Sequence, residues 1–401
     1  MEHFVILGGG QAAATAARTL RDEGFGGSVT IVSEENRLPY ERPPLSKAVL
    51  QGEADVAKVT LIPEEALVDL NLDLLRGHRA VALDRGGRKV ILSSGRELSY
   101  DRLLIATGSR PRLIDGPLSG KSNVFYLRTF DDAERLRAAM APGKTLLSVG
   151  AGWIGLEVAA TARKLGLQAA VVEMAGRLCA RCLPAEVGSA LERIHRDHGT
   201  KIHLDTRITE VAGRDAVEAV TLSSGEVLPV DIVVIGIGAV PNVELARDAG
   251  LEIGNGVVVD PFLRTSDPHI FAAGDVAAMR DETGRSIRME SWANAQDQAA
   301  AAARNMMGEN SAYSVNTWFW SDQYDLNLQM IGDCASDGGE VFLRQGEGGA
   351  FTRLCVAGGK LVGAICFDAP RDMAIVRRLL ARGYSPAGDE LQTAPDLRKL
   401  L

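Results

Sequence analysis

Two short glycine runs carry the first chemistry legible in this sequence. Gly8, Gly10 and Ala13 stand in the spacing G-x-G-x-x-A, and Gly150, Gly152 and Gly155 in the spacing G-x-G-x-x-G. The first residue of each run permits a tight turn, and the second lets backbone N–H groups approach a pyrophosphate. The third must be small for a helix to pack on its strand. An acid follows each turn, Glu34 after the first and Glu173 after the second. At a strand end, such a carboxylate accepts a ribose hydroxyl. Glu173 favours NAD over NADP, since its charge bonds a 2′-hydroxyl and repels a 2′-phosphate. Its alternative reading is a solvated surface acid, and neighbouring Arg177 points the other way. Two such turns imply two dinucleotides, and the economical pair is a tightly held flavin with an exchangeable nicotinamide.

The elements that must position these turns repeat one pattern. Residues 3–7 form an apolar strand, a helix begins at Gln11, and a second strand covers 29–32. Likewise 145–149 is a strand, 153–165 a helix, and 169–172 a strand. Two βαβ units predict parallel, doubly wound sheets and an α/β fold. Between them, 71–110 reads as short strands and turns. From about residue 316 the texture changes, with aromatics at 318–320, strands at 340–344, 351–356 and 361–367, and a helix over 371–382. This stretch predicts a separate α+β domain. Residues 385–401 are expected to be partly mobile.

With 401 residues the chain exceeds one ordinary core, so several domains are expected. A net charge of −8 argues against a nucleic-acid binder. The opening residues Met1-Glu2-His3-Phe4 lack the segments of a signal peptide, and no apolar run is long enough to span a bilayer. Five irregularly spaced cysteines fit a reducing compartment, so a cytoplasmic protein is expected. Cys179 and Cys182 form a C-x-x-C, the spacing of a dithiol centre or half a zinc site, but no second pair completes a metal site. His195 and His198 lie three apart and are read as a solvated face rather than as metal ligands; no metal is expected.

Beyond the glycine turns, Tyr40-Glu41-Arg42-Pro43-Pro44-Leu45-Ser46-Lys47, Ala106-Thr107-Gly108, Tyr126-Leu127-Arg128-Thr129, Gly274-Asp275, Glu290-Ser291-Trp292-Ala293-Asn294-Ala295 and Trp318-Phe319-Trp320-Ser321-Asp322-Gln323-Tyr324 run through the chain. Together they resemble the ferredoxin reductase branch of the FAD-dependent pyridine nucleotide–disulfide oxidoreductase superfamily. The resemblance implies two Rossmann-like, glutathione-reductase-like nucleotide domains and a C-terminal α+β domain. The FAD domain is expected over 1–110 and 240–315, the NAD domain over 111–239, and the C-terminal domain over 316–401.

It further implies FAD contacts at Gly8, Gly10, Ala12, Ala13, Glu34, Arg42, Lys47, Ala80, Ala106, Thr107, Gly108, Arg128, Gly274, Asp275 and Trp292. NAD contacts fall at Gly150, Gly152, Gly155, Glu157, Glu173 and Gly238. Lys47 and Glu157 are expected to be the catalytic ion pair, since a buried lysine needs a carboxylate partner. Read alone, Lys47 is equally a surface lysine after a Pro-Pro turn, and Trp292 and the 318–320 aromatics are equally core. The implied activity is hydride transfer from NADH to FAD, then single electrons to a [2Fe-2S] ferredoxin serving a dioxygenase or cytochrome P450 in aromatic hydrocarbon catabolism. The implied assembly is a monomer or homodimer. Arg304, Arg371, Arg377, Arg378 and Arg382 are candidate docking charges. Alternatives are an NADH oxidase or disulfide-type reductase, which would need a cysteine within 37–50 where none stands, and an apoptosis-inducing-factor-like redox interaction protein.

Overall fold

The structure is a computed structural model that describes residues 1–280, 284, 286–315, 317–334 and 339–401. It divides into two compact units. The first comprises Met1–Pro44, Ala54–Arg110 and Ala239–Asn316, and the second Leu45–Glu53, Pro111–Gly238 and Thr317–Leu401. The segment holding Ser46 and Lys47 therefore belongs with the second unit. Asn316, where the third domain was expected to begin, lies outside the described residues.

In the first unit, strand His3–Leu7 lies between Ser28–Ser33 and Arg102–Ile105 in a five-stranded parallel sheet. Leu72–Arg76 and Ile270–Ala272 form its edges. Phe4, Val5, Ile6 and Leu7 are all buried. Such an uninterrupted apolar run suits a central strand covered on both faces. Helix Gln11–Asp22 packs its alanine face against helix Trp292–Met306, small side chains allowing close approach. The unit also holds a three-stranded antiparallel sheet (Ala80–Asp84, Lys89–Leu92, Glu97–Ser99) and a four-stranded mixed sheet (Ile253–Gly254, Gly256–Val259, Ala277–Arg280, Ser286–Ile287) whose central pair is parallel.

The second unit repeats the parallel plan, with Thr145–Val149 between Gln168–Val172 and Ile232–Ile235 and helix Trp153–Lys164 after the glycine turn. Lys201–His203 and Val124–Phe125 are its edge strands. Ile208–Ala212, Ala219–Leu222 and Val227–Pro229 form a small antiparallel sheet that periodicity alone does not mark. The C-terminal part is a five-stranded antiparallel sheet, ordered Phe319–Gln323, Leu326–Gly332, Lys360–Phe367, Phe351–Ala357, Glu340–Gln345, and packed by helix Pro370–Ala381.

The chain end departs from expectation. Residues 385–401 include helix Glu390–Thr393, and Leu391 and Leu397 are fully buried in the C-terminal core. Arg344 donates to the carbonyls of Leu391, Gln392 and Ala394. Two apolar anchors and a guanidinium clamp thus hold a segment whose composition alone reads as a loose tail.

Candidate dinucleotide and ion-pair sites

The two glycine turns explain themselves residue by residue. Gly8 has φ +135°, and a Cβ there would meet the Ala106 carbonyl oxygen at 2.1 Å; Gly150 has φ +99°, with the Gly236 oxygen at 2.5 Å. Packing alone demands glycine at both. The second glycines differ. A Cβ on Gly10 would have nothing nearer than the Arg42 Nε at 3.8 Å, and one on Gly152 nothing nearer than the Gly236 oxygen at 3.6 Å. Protein packing leaves the space beside each helix N-terminus open, as a cradle for a phosphate requires. At the third position, a Cβ on Gly155 would clash with the Gly150 oxygen at 2.3 Å. The first turn instead accommodates Ala13 fully buried.

In the first unit, Glu34 is exposed at the end of strand Ser28–Ser33. The next residue, Glu35, receives hydrogen bonds from Arg42 at 2.6 Å and from the Tyr40 hydroxyl. Burial alone would lower the Arg42 pKa, but the fields of Tyr40, Glu35 and Asp275 outweigh it and hold the guanidinium above its usual value. A permanent cation therefore stands beside Gly10. Ala12 is buried next to Gly274, whose added Cβ would lie 3.1 Å from that of Ala12. Gln298 accepts the Gly274 N–H at 2.8 Å, and Ser109 donates to Asp275 at 2.8 Å. Asn242 clamps the Ala106-Thr107-Gly108 turn by donating to the Thr107 carbonyl while its own N–H donates to Gly108. Trp292 is half-buried and opens its helix, which Ser291 caps. Ala80 is half-buried, opposite Leu92.

In the second unit, Glu173 accepts the N–H of Ala151 at 2.7 Å and of Ala175 at 2.8 Å. These bonds fix the carboxylate at the turn while leaving lone pairs for a further donor. Gly238 has φ +110°, and its carbonyl accepts the Arg112 N–H. Arg177 is turned to the Ala180 carbonyl. Arg128 precedes a capping box in which Thr129 and Asp132 satisfy each other's backbone groups. Cys179 is buried, its thiol pushed well above the ordinary range by burial.

Lys47 and Glu157 are brought together. Helix Trp153–Lys164 presents Glu157 and Thr161 one turn apart on one face. Thr161 donates to the Ser46 carbonyl at 2.7 Å, holding the segment that carries Lys47. The Lys47 ammonium lies 2.7 Å from Glu157 Oε2, which also accepts from Ser46 at 2.5 Å. The other oxygen accepts from Ser321 at 2.6 Å, Gln323 donates to Ser321 at 3.0 Å, and His195 Nε2 meets the Gln323 oxygen at 2.7 Å. Since that oxygen only accepts, Nε2 of His195 carries the proton. Burial pushes the His195 pKa down to about 4, so the ring is neutral at pH 7. Contrary to the solvated face expected for both, His195 is fully buried, because its ring is hydrogen-bonded to Gln323 within the core; only His198 is exposed, stacked on Tyr324 at 3.8 Å. Sequence reasoning missed Glu35, Ser46, Asn242, Gln298, Ser321 and Gln323. Of these, Glu35 stands beside an expected acid, and Ser46, Ser321 and Gln323 lie within the quoted motifs without a role assigned to them; Asn242 and Gln298 left no local signal.

The aromatic run is engaged as well. Trp318 stacks on Trp320 at 5.0 Å, Arg377 lies over Trp318 at 5.2 Å, and Phe319 packs on Trp153 at 4.9 Å. Arg371, Arg377 and Arg378 are exposed, Arg304 pairs with Glu23, and Arg382 donates to the Leu401 carbonyl.

Residues 2–299 match the pyridine nucleotide-disulphide oxidoreductase family. The chain is a member of that family. Residues 318–401 match the reductase C-terminal family. Among curated relatives, rhodocoxin reductase of Rhodococcus erythropolis is 41% identical, covering 94% of this chain and 89% of its own. The ferredoxin–NAD(+) reductase component of the p-cumate 2,3-dioxygenase system of Pseudomonas putida is 40% identical, with 94% and 92% covered. The crystal structure of the ferredoxin reductase for the CYP199A2 system of Rhodopseudomonas palustris superposes with a TM-score of 0.95 at 39% identity, covering 100% of this chain and 99% of that one. The covalent putidaredoxin reductase–putidaredoxin complex gives 0.92 at 34%, covering 100% and 98%. The oxidoreductase fold of the family, with its parallel sheets, is the one described above.

Proposed function

We propose that this family member is an NADH-dependent ferredoxin reductase that carries FAD, accepts hydride from NADH and passes single electrons to a [2Fe-2S] ferredoxin serving an oxygenase. The observation that carries the reading is the pair of open second glycines, each beside a helix N-terminus and each followed by an acid at the end of the next strand. The relatives named as ferredoxin reductases of dioxygenase and related systems support it. The family uses FAD and NAD(H). FAD, when bound, supplies a two-electron acceptor and a one-electron donor in one ring.

The chain's own residues supply position and field. The Gly8–Gly10 turn and the N-terminus of helix Gln11–Asp22 hold a pyrophosphate, with Arg42 as a nearby cation. Glu34 is placed to take the adenosine ribose, while Glu35 orients Arg42. Ala80, Ala106, Thr107, Gly108, Gly274, Asp275 and Trp292 complete this set within the first unit. Gly150, Gly152 and Gly155 form the nicotinamide dinucleotide cradle with Gly238. Glu173 receives the ribose hydroxyls and disfavours NADP. Glu157 holds the Lys47 side chain in one place through the 2.7 Å ion pair, so that it stabilises negative charge that develops on reduction. The exposed arginines Arg371, Arg377 and Arg378 offer positive charge to an acidic ferredoxin. No helix among the described residues is long and apolar enough to cross a membrane. All five cysteines are free thiols, in keeping with a cytoplasmic setting.

The test is cytochrome c reduction with NADH, with and without a [2Fe-2S] ferredoxin. Rapid reduction only with the ferredoxin supports the carrier role. Equal oxygen or dithiol consumption without it overturns the role.

A further inference from the structure

Two cysteines outside both dinucleotide cradles meet in the C-terminal sheet. Cys355 stands opposite Val341 on one side and Gly363 on the other. Directly opposed residues share a face of the sheet. Leu354 and Val356 point into the core beneath helix Pro370–Ala381, so Cys355 lies on the opposite face. Cys355 and Cys334 are themselves buried, each 6% exposed, under a face whose nearest opening is at Val341, 47% exposed, so only an oxidant as small as hydrogen peroxide suits the pair. A Cβ on Gly363 would lie 2.8 Å from Cys334 Sγ. The Cys334 sulfur therefore fills the space next to Cys355 that only a glycine leaves free, and its own thiol is directed to the Ile331 carbonyl.

Arg353, two residues before Cys355 and on the same face, binds both. Its guanidinium donates to Cys355 Sγ at 2.8 Å and to the Cys334 carbonyl at 3.1 Å. Its Nε is held by Glu186 at 2.7 Å, and the side chain is only 11% exposed. A half-desolvated cation on one sulfur and a second thiol against it are the ingredients of an activated dithiol.

We propose that Cys334 and Cys355 form a hydroperoxide-responsive dithiol, with Cys355 the attacking sulfur and Cys334 the resolving one. The Cys355 thiolate attacks one oxygen of hydrogen peroxide. The O–O bond breaks, and the departing hydroxide takes up the proton lost from the thiol and leaves as water. Cys355 becomes a sulfenic acid. Cys334 then attacks the Cys355 sulfur, the S–S bond forms, the S–O bond breaks, and a second water leaves with the Cys334 proton. In sum, two thiols and one hydrogen peroxide give one disulfide and two waters. The directions of titration agree. The neighbouring Cys334, aided by Arg353, pulls the Cys355 thiol below its ordinary value, whereas burial pushes Cys179 well up and Cys366 up to about 12.

The full-length protein, reduced and freed of reductant, is exposed to a few equivalents of hydrogen peroxide, alkylated, and mapped by mass spectrometry without reductant. The expected product is a Cys334–Cys355 linked peptide, lost on adding dithiothreitol. In Cys334→Ser the sulfenic acid at Cys355 is trapped and labelled by dimedone. In Arg353→Gln the oxidation of Cys355 slows by about threefold for each unit its pKa rises, because gained nucleophilicity offsets part of the lost thiolate. Oxidation of Cys179 or Cys182 with Cys355 intact overturns the proposal, as does an unchanged rate in a folded Arg353→Gln. If that variant loses its fold by circular dichroism, the dimedone label in Cys334→Ser decides: labelled Cys355 sustains the proposal and unlabelled Cys355 overturns it.

Discussion

Glu157 is the residue on which the polar interior of the second unit turns. It is 4% exposed and takes Lys47, Ser46 and Ser321 on two oxygens. Replacing Glu157 by Gln leaves the Lys47 ammonium without its counter-charge in a site it only partly leaves for water. We expect a loss of about 2 kcal/mol in denaturant unfolding, below the full value of a buried pair because Lys47 is 19% accessible. At the far end of the same chain of hydrogen bonds, His195 sets a pH limit. Its folded pKa of about 4 lies below the 6.5 of a free imidazole. Between those values the unfolded chain binds the proton and the folded one does not, so stability falls as pH drops from 6.5 toward 4. The integrated loss is about 3 kcal/mol, and His195→Gln should flatten that part of a stability–pH curve. An equally steep curve in the variant would contradict the assignment. None of these partnerships is local in sequence. Ser46 and Glu157 are separated by 111 positions and Ser321 and Glu157 by 164, so no spacing rule reports them.

The glycine turns were legible as elements because their requirements are local: a strand, a turn and a helix within a few residues. Periodicity also located three strands and the helix of the C-terminal sheet to within one or two residues, but not its strands Phe319–Gln323 and Leu326–Gly332. It failed where burial rests on isolated side chains, as at Leu391 and Leu397, and where strands alternate weakly, as in 208–229. Each turn makes a separable prediction, because the second glycine faces open space and its substitution need not disturb the fold. Gly10→Leu should yield a folded, colourless protein. Gly152→Leu should keep the yellow flavin spectrum but raise the KM for NADH more than about tenfold, by blocking approach to the pyrophosphate. Visible spectra and initial rates of the two variants check this. Loss of colour in Gly152→Leu, or full NADH affinity in it, would refute the separate roles.

At the scale of the whole molecule, composition and repeated βαβ units spoke for two nucleotide-binding halves, and the chain contains two parallel sheets of that kind. Segment Leu45–Glu53 departs from that outline: it groups with the second unit although both its flanks belong to the first. A short excursion of this kind has no period of its own and is held by contacts such as Thr161 to Ser46 and Lys47 to Glu157. It is also how a lysine from the early chain and a glutamate from the later dinucleotide helix become one pair. The central claim is that the two cradles serve one transfer, with NADH as donor and bound FAD as acceptor. Anaerobic titration of the purified protein with NADH, followed by visible absorption, measures it. The account predicts a flavin spectrum that bleaches with about one equivalent of NADH per protein. A preparation that takes up FAD yet stays yellow under excess NADH would contradict it.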